Sequence, residues 1–273
     1  MLEAAVHGDD PAAVEFALGQ IESEVSCSDR LRADARRVAS RGLVRIAQGD
    51  NRPDQQEQLL QRALELGQTW QASAMLGDIT MARGNYAEAT ASYQHALDLI
   101  NDPVATPSAP TAETINHVVR LAGETRMLAS HYVPVPRDFR SGEAGGLALA
   151  SIRGFDVKVV PIPITFVTDS TQLTPEGEQA ALDLLAYLNQ QKPATVKLAG
   201  HTDARGRDDY NQELSGRRVV AVADFLKQKG YAGRIETKGY GETQAFELDD
   251  PKRYTPEQIW QLNRRVELVR GGG

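Results

Sequence analysis

At 273 residues and 29.8 kDa, the chain is too long for one small domain and fits about two. Its 41% apolar and 25% charged residues suit a globular protein, and 6% aromatics argue against an all-β or aromatic-rich binding surface. The net charge of −7 lies in the first part: residues 1–110 carry 16 acidic and 9 basic side chains, residues 111–273 carry 21 of each. An acidic chain with no basic block argues against nonspecific nucleic-acid binding. One cysteine excludes an intrachain disulfide and argues against a cysteine-ligated metal. The five histidines (His7, His95, His117, His131, His201) show no paired metal spacing, so neither metal nor cofactor is expected. No apolar run reaches about 18 residues, so no membrane span is expected. Met1-Leu2-Glu3 lacks the basic start and apolar run of a signal peptide. Either the protein is cytoplasmic or an export signal precedes this Met1.

Residues 11–100 read as successive helices. Asp10-Pro11 starts the first, with Val14, Phe16, Ala17 and Ile21 at roughly helical spacing. A second runs from about Ser28 to Ala47, and Gly49-Asp50-Asn51 closes it. A third spans about Pro53 to Leu66, with Leu59, Leu60, Ala63 and Leu66 as its stripe. In Trp70–Leu99, Leu76-Gly77 falls in one helix, Gly84 in a turn, and Tyr86, Ala89, Tyr93 and Ala96 in a second. This spacing resembles the tetratricopeptide repeat, and Leu66-Gly67 has a flavour of the related Sel1-like repeat. The resemblance implies stacked hairpins in a short solenoid, whose inner face holds a protein partner.

A Pro-rich stretch, Asn101–Pro110, then leads to a helix from about Thr111 to Ala129 that is placed to cap the solenoid. Tyr132-Val133-Pro134-Val135-Pro136 is extended, because a residue before proline avoids helix. Gly142, Gly145 and Gly146 mark a turn, and Leu147–Ile152 a short strand.

From Val159 strands alternate with helices. Ile162–Val167 reads as a strand, which Pro161 and Pro163 confine to a sheet edge. Thr174-Pro175 caps a helix carrying Ala180, Ala181, Leu184, Leu185 and Leu188. Thr195–Gly200 is a strand. Asp208–Lys229 is a helix with Tyr210, Leu214, Val222, Phe225 and Leu226 as its stripe, ended by Gly230. Arg234–Gly239 and Arg265–Val269 are further strands. The pattern predicts an α/β sandwich with helices on one face of a mixed sheet.

Several sequence elements stand in a fixed order here. They are Phe166, Asp169, Leu173-Thr174-Pro175, Gly200-His201-Thr202-Asp203, Gly206, Tyr210-Asn211, Leu214-Ser215, Arg218, Gly239-Tyr240-Gly241-Glu242 and Asn263-Arg264-Arg265-Val266-Glu267. Together they resemble the OmpA-like peptidoglycan-binding domain over about residues 159–270. The Asp203-Ala204-Arg205-Gly206 loop is similar to the peptidoglycan-associated lipoprotein branch. The expected fold class is therefore α plus α/β: a helical-hairpin solenoid (residues 1–103), a linker with capping helix and extended segment (104–158), and an OmpA-like βαβαββ sandwich (159–270).

The resemblance implies a ligand, the diaminopimelate of a peptidoglycan stem peptide, whose free end carries an ammonium and a carboxylate on one carbon. A receptor for that zwitterion needs an anion and a cation a few ångströms apart. By position, Asp203 is implied as ammonium acceptor and Arg218 as carboxylate clamp, a role that suits the planar guanidinium fork. Asn211 would supply an amide to the peptide stem and Arg264 a second cation. Arg205 and Leu214 would form the pocket wall, and Thr202 would help fix the loop. The plainer reading of Asp203 and Arg218 is an internal salt bridge, and that of Arg264 and Arg265 a solvated strand end, which suits Arg265 better. His201 is expected to pack or hydrogen-bond at its strand end. Two departures stand out: Val167-Thr168 follows Phe166 where relatives carry an acidic or polar residue, and Ile259-Trp260 replaces a Gly-Arg pair after an extended acidic segment.

No nucleophile elbow, P-loop or complete dinucleotide loop is present, so no catalytic residue is expected. The expected function is noncovalent peptidoglycan binding, with the repeats recruiting a protein partner in the cell envelope. The alternative is an envelope interaction scaffold whose second module no longer binds wall. Wall binding implies a periplasmic location and an export signal.

Overall fold

Six helices build the first part of the chain. Helix α1 is Leu2–His7, α2 Pro11–Ser23, α3 Asp29–Gly49, α4 Pro53–Leu66, α5 Trp70–Ala82 and α6 Tyr86–Asn101. The structure, a computed structural model, describes residues 1–133, 151–152 and 155–270. Contacts divide it into two compact units, Met1–Thr114 and Ile115–Gly273.

In the first unit the expected caps form. The Asp10 carboxylate accepts from the Ala12 amide at 2.9 Å and the Ser28 hydroxyl from the Leu31 amide at 3.3 Å. Consecutive helices pack on one another, and their core runs from Leu2 and Val6 through Leu18 and Leu43 to Leu60 and Ala72. In the α5–α6 hairpin, Tyr93 is fully buried against Gly77, where a β-carbon would lie 2.7 Å from the ring. The Tyr93 hydroxyl donates to Asp78 at 2.7 Å, and Gly84 makes the turn at φ +78°. Two expectations are corrected. Helix α1 precedes the first expected helix and packs Val6 against Gly42. Phe16 is 64% exposed, because it lies about 200° round the helix from Val14, whose stripe continues through Ala17 and Leu18.

The second unit holds most of α7 (Ala112–Leu128), followed by a two-stranded ladder of β1 (Ser151–Ile152) and β2 (Phe155–Asp156). The turn expected at Gly142, Gly145 and Gly146, residues 147–150 of the expected strand, and Pro134–Pro136 lie outside the described residues. Then come β3 (Val159–Ile162), α8 (Pro175–Gln191), β4 (Thr195–Gly200), α9 (Asp208–Gln228), β5 (Arg234–Gly239), α10 (Pro256–Asn263) and β6 (Val266–Val269). The four-stranded sheet has the order β3-β6-β4-β5, with β4 parallel to β5 and the other pairs antiparallel. This is the expected βαβαββ order with one further helix, α10, between the last two strands.

β3 is an edge strand, as its prolines require, but it ends at Ile162 and does not span Ile162–Val167. Pro163 breaks the ladder there; the Ile164 amide turns back onto the Ile162 carbonyl at 2.7 Å, and Phe166 makes only an isolated bridge to Leu173. The α8 cap forms as expected, with the Thr174 hydroxyl accepting from the Gly177 amide at 3.0 Å.

Register aligns Ile162, Val266, Gly200 and Gly239 across the sheet. This row faces α9, since a β-carbon at Gly200 would sit 2.6 Å from the Ser215 carbonyl oxygen. Pro161 alternates to the other face, where a β-carbon on Gly123 of α7 would meet its ring at 3.3 Å. Helix α7, from the segment before the 159–270 module, therefore covers the face opposite α9. The buried Glu124 carboxylate of α7 accepts from the Asp249 amide at 3.0 Å and from the Tyr254 hydroxyl, holding the 247–254 segment against α7. Burial raises the Glu124 carboxyl, against these two hydrogen bonds.

Candidate functional site

The loops leaving β4 and β5 share one end of the sheet. They are tied there by Tyr240 N–H to the Gly200 carbonyl and Thr202 N–H to the Gly241 carbonyl, both 2.9 Å. Ser215 of α9 closes the join, accepting from the Gly241 amide at 2.8 Å. Between these loops, α9 and the 163–169 segment opens a cleft of about 670 Å³. All seven sequence-predicted site residues (Thr202, Asp203, Arg205, Asn211, Leu214, Arg218 and Arg264) line it.

Asp203 is buried, 6% exposed, and its carboxylate accepts four hydrogen bonds. Oδ1 takes the Arg205 amide and Nε, both at 3.0 Å; Oδ2 takes Arg205 Nη2 at 2.9 Å and Arg264 Nη1 at 2.6 Å. Burial pushes this carboxyl up, but the Arg205 and Arg264 guanidinium groups and the Arg205 amide outweigh it and bring it from 3.8 down to about 2. The folded value lies below the unfolded one, so the resulting stabilisation is complete above about pH 4 and is lost as pH falls toward 2. It amounts to something on the order of 2 kcal/mol. Denaturation of wild type and Asp203→Asn across this range checks it: the gap between them should narrow as pH falls from about 4 toward 2. A gap that ignores pH would contradict it.

Arg218 comes from α9, 8% exposed. Its Nε donates to the Ser170 carbonyl at 3.0 Å, and its guanidinium lies 5.0 Å over the Phe166 ring. Among the described residues it has no ion-pair partner, so the internal Asp203–Arg218 salt bridge does not form. Desolvation and then the charge of Arg264 lower its pKa, against the attraction of Asp169 and Asp203. Asp169 sits in a left-handed conformation, φ 50°, in the turn that presents the Ser170 carbonyl.

The Asn211 amide nitrogen is engaged by the chain itself. It donates to the Asp203 and Arg205 carbonyls at 3.2 and 3.1 Å and to Glu242 Oε2 at 2.6 Å, pinning the Asp203–Gly206 loop, in which Gly206 takes φ +107°. Leu214 is 5% exposed in the cleft wall. Tyr210, expected on the apolar stripe of its helix, is 41% exposed and lines the cleft instead.

His201 stacks on Tyr240 with ring centroids 5.4 Å apart, and its Nε2 lies 3.2 Å from Glu267 Oε2. Arg265 is not a solvated strand end: it is 5% exposed, bonds Glu267 Oε1 at 2.6 Å and the Gln244 carbonyl at 3.2 Å, and lies over Phe246. Its neighbour Arg264, at the end of α10, reaches the cleft.

Three contributors to the site have no role assigned from the sequence: the Ser170 carbonyl, Glu242, and Trp260, whose ring lies 4.6 Å under the Arg205 guanidinium. Trp260 stands on α10, whose start is a capping box: the Thr255 hydroxyl accepts from the Gln258 amide at 3.3 Å, and the Gln258 side chain accepts from the Thr255 amide at 2.8 Å. Thr255→Ala should cost about 1 kcal/mol of stability, read by urea denaturation. An unchanged midpoint would contradict that role. Among the described residues, no cluster of His, Cys, Asp or Glu is placed to hold a metal, and no helix is long and apolar enough to cross a membrane.

The second unit is thus a mixed α/β sheet with an acid and a guanidinium buried in one cleft at the end of its strands. The chain belongs to the OmpA family, whose pattern matches residues 165–255. It is 33% identical over 132 residues to the peptidoglycan-associated lipoprotein of Agrobacterium fabrum (strain C58 / ATCC 33970), covering 48% of this chain and 71% of that protein. The protein of that name from Mesorhizobium japonicum is likewise 33% identical, over 48% of this chain and 75% of its own. Among solved structures, the peptidoglycan-associated lipoprotein from Burkholderia pseudomallei is 24% identical with a TM-score of 0.34, over 41% of this chain and 89% of that one.

Proposed function

We propose that residues 159–270 bind peptidoglycan noncovalently by gripping the zwitterionic end of a diaminopimelate stem peptide. Asp203 takes the ammonium and Arg218 the carboxylate. The observation that carries this reading is the pair itself: a carboxylate, and a guanidinium without an ion partner among the described residues, both buried and lining one cleft. A lone buried guanidinium is costly, and an incoming carboxylate offers it the bidentate partner it lacks. Family membership and the relatives named for peptidoglycan association support the same reading. Leu214 and Tyr210 offer wall to the ligand's aliphatic chain, while Asn211 and Thr202 keep the Asp203 loop in place.

The helical hairpins of residues 1–103 are proposed as tetratricopeptide-like repeats that recruit a protein partner, with residues 104–158 as the connection. Wall binding implies a location in the periplasm of the cell envelope. Charge-assisted hydrogen bonds to one zwitterion support modest affinity per site, and many stems on one polymer supply avidity.

Sedimentation of the full chain with purified diaminopimelate-type sacculi tests this. The protein should pellet with the sacculi and be released by excess free tripeptide L-Ala-γ-D-Glu-meso-diaminopimelate. Protein left in the supernatant would overturn the reading.

A further inference from the structure

Resting on that reading, we infer that Arg264 sets the selectivity of the cleft. It holds the ammonium position on Asp203 in the free protein and yields it more readily to an ammonium that arrives with a carboxylate on the same carbon.

Asp203 has no acceptor capacity to spare. A carboxylate offers about four lone-pair sites, and all four on Asp203 are filled. An ammonium cannot be added; it must replace a donor. Arg205 is the harder one to move, since its amide, Nε and Nη2 all bind Asp203 and its guanidinium rests on Trp260. Arg264 holds by one nitrogen alone, Nη1 at 2.6 Å, and its side chain is 39% exposed.

The fate of the displaced Arg264 decides the ligand. Arg264 and Arg218 line the same cleft, and their charges oppose each other. Asp169 also attracts Arg218, yet among the described residues Arg218 has no ion-pair partner. A released Arg264 therefore joins Arg218 as a second cation without a carboxylate. An α-amino acid end brings that carboxylate between them as its ammonium takes Asp203. A plain primary amine, such as a lysine side chain, displaces Arg264 and gives nothing back. The exchange thus favours a diaminopimelate end over a lysine end, and Arg264 enforces the difference.

Calorimetric titration with L-Ala-γ-D-Glu-meso-diaminopimelate and with the same peptide carrying L-Lys in third place tests this in the full chain. Wild type should prefer the first by roughly 10- to 100-fold, the range of one charge-assisted hydrogen bond. Arg264→Gln should bind the diaminopimelate peptide more weakly and the lysine peptide severalfold more tightly than wild type. Arg264→Lys should restore part of the preference, and circular dichroism confirms that each variant folds. Lysine-peptide binding that does not improve in Arg264→Gln, or a wild type that binds both peptides equally, overturns the inference while leaving wall binding intact. Folded wild type that binds neither peptide overturns the binding reading, and this inference with it.

Discussion

Asp203→Asn should lower affinity for the diaminopimelate tripeptide at least about 100-fold, with the fold intact. The substitution keeps size and shape, removes the charge and turns one acceptor oxygen into an amide donor. Its amide nitrogen would then face Arg205 or Arg264, donor against donor, where Asp203 now accepts four hydrogen bonds. Both arginines retain exposed routes to water, with side chains 57% and 39% accessible, so the variant should still fold. The ligand's ammonium has no such route once its carboxylate seats on Arg218. Calorimetric titration of both proteins at about pH 7, where wild-type Asp203 is ionised, reads the loss. Affinity within about twofold of wild type would mean that Asp203 serves only the loop.

The second large effect concerns the close approach that builds the cleft. A β-carbon at Gly239 would lie 2.4 Å from the Gly216 amide nitrogen and 2.6 Å from Ser215 Oγ. Backbone cannot yield as a side-chain tip can, so Gly239→Ala must push α9 off the sheet. That helix carries Asn211, Leu214 and Arg218. We expect a loss of about 3 kcal/mol or more, the upper part of the overpacking range, together with weaker ligand binding. Gly216→Ala is the control: its β-carbon meets nothing within 4 Å, and it lies mid-helix. There alanine should be neutral or stabilising by up to about 1 kcal/mol. Urea denaturation compares them, and equal midpoints for the two variants would contradict the close-packing argument.

Much of this architecture is legible from residue pattern. Strands β4 and β5 and helix α4 have the bounds that their spacing and flanking turn residues imply. The Thr174 cap follows from local chemistry alone. The features that escape the pattern depend on partners distant in sequence. Arg265 reads as a solvated strand end because nothing nearby announces Phe246 or the Gln244 carbonyl as its cover. Phe16 reads as core on apolar identity, yet its angle on the helix decides its exposure. Helix α10 is accessible to sequence reasoning: Thr255, Pro256 and Gln258 spell a capping box with proline at the first turn. That signal sets Trp260 on a helix, near Arg264 and so near the cleft. The engagement of Asp203 by two arginines has no local signal, since it needs α10 and the β4 loop brought to one point.

The most direct test of the zwitterion reading leaves the protein unchanged and alters the ligand. Wild type is titrated with L-Ala-γ-D-Glu-meso-diaminopimelate, then with the same peptide acetylated on the free amine of its diaminopimelate. Binding of the first and loss of the second, by about 100-fold or more, is the expected result, because acetylation removes the charge that Asp203 takes. Equal binding of both peptides would contradict it, and the ammonium could then have no place on Asp203.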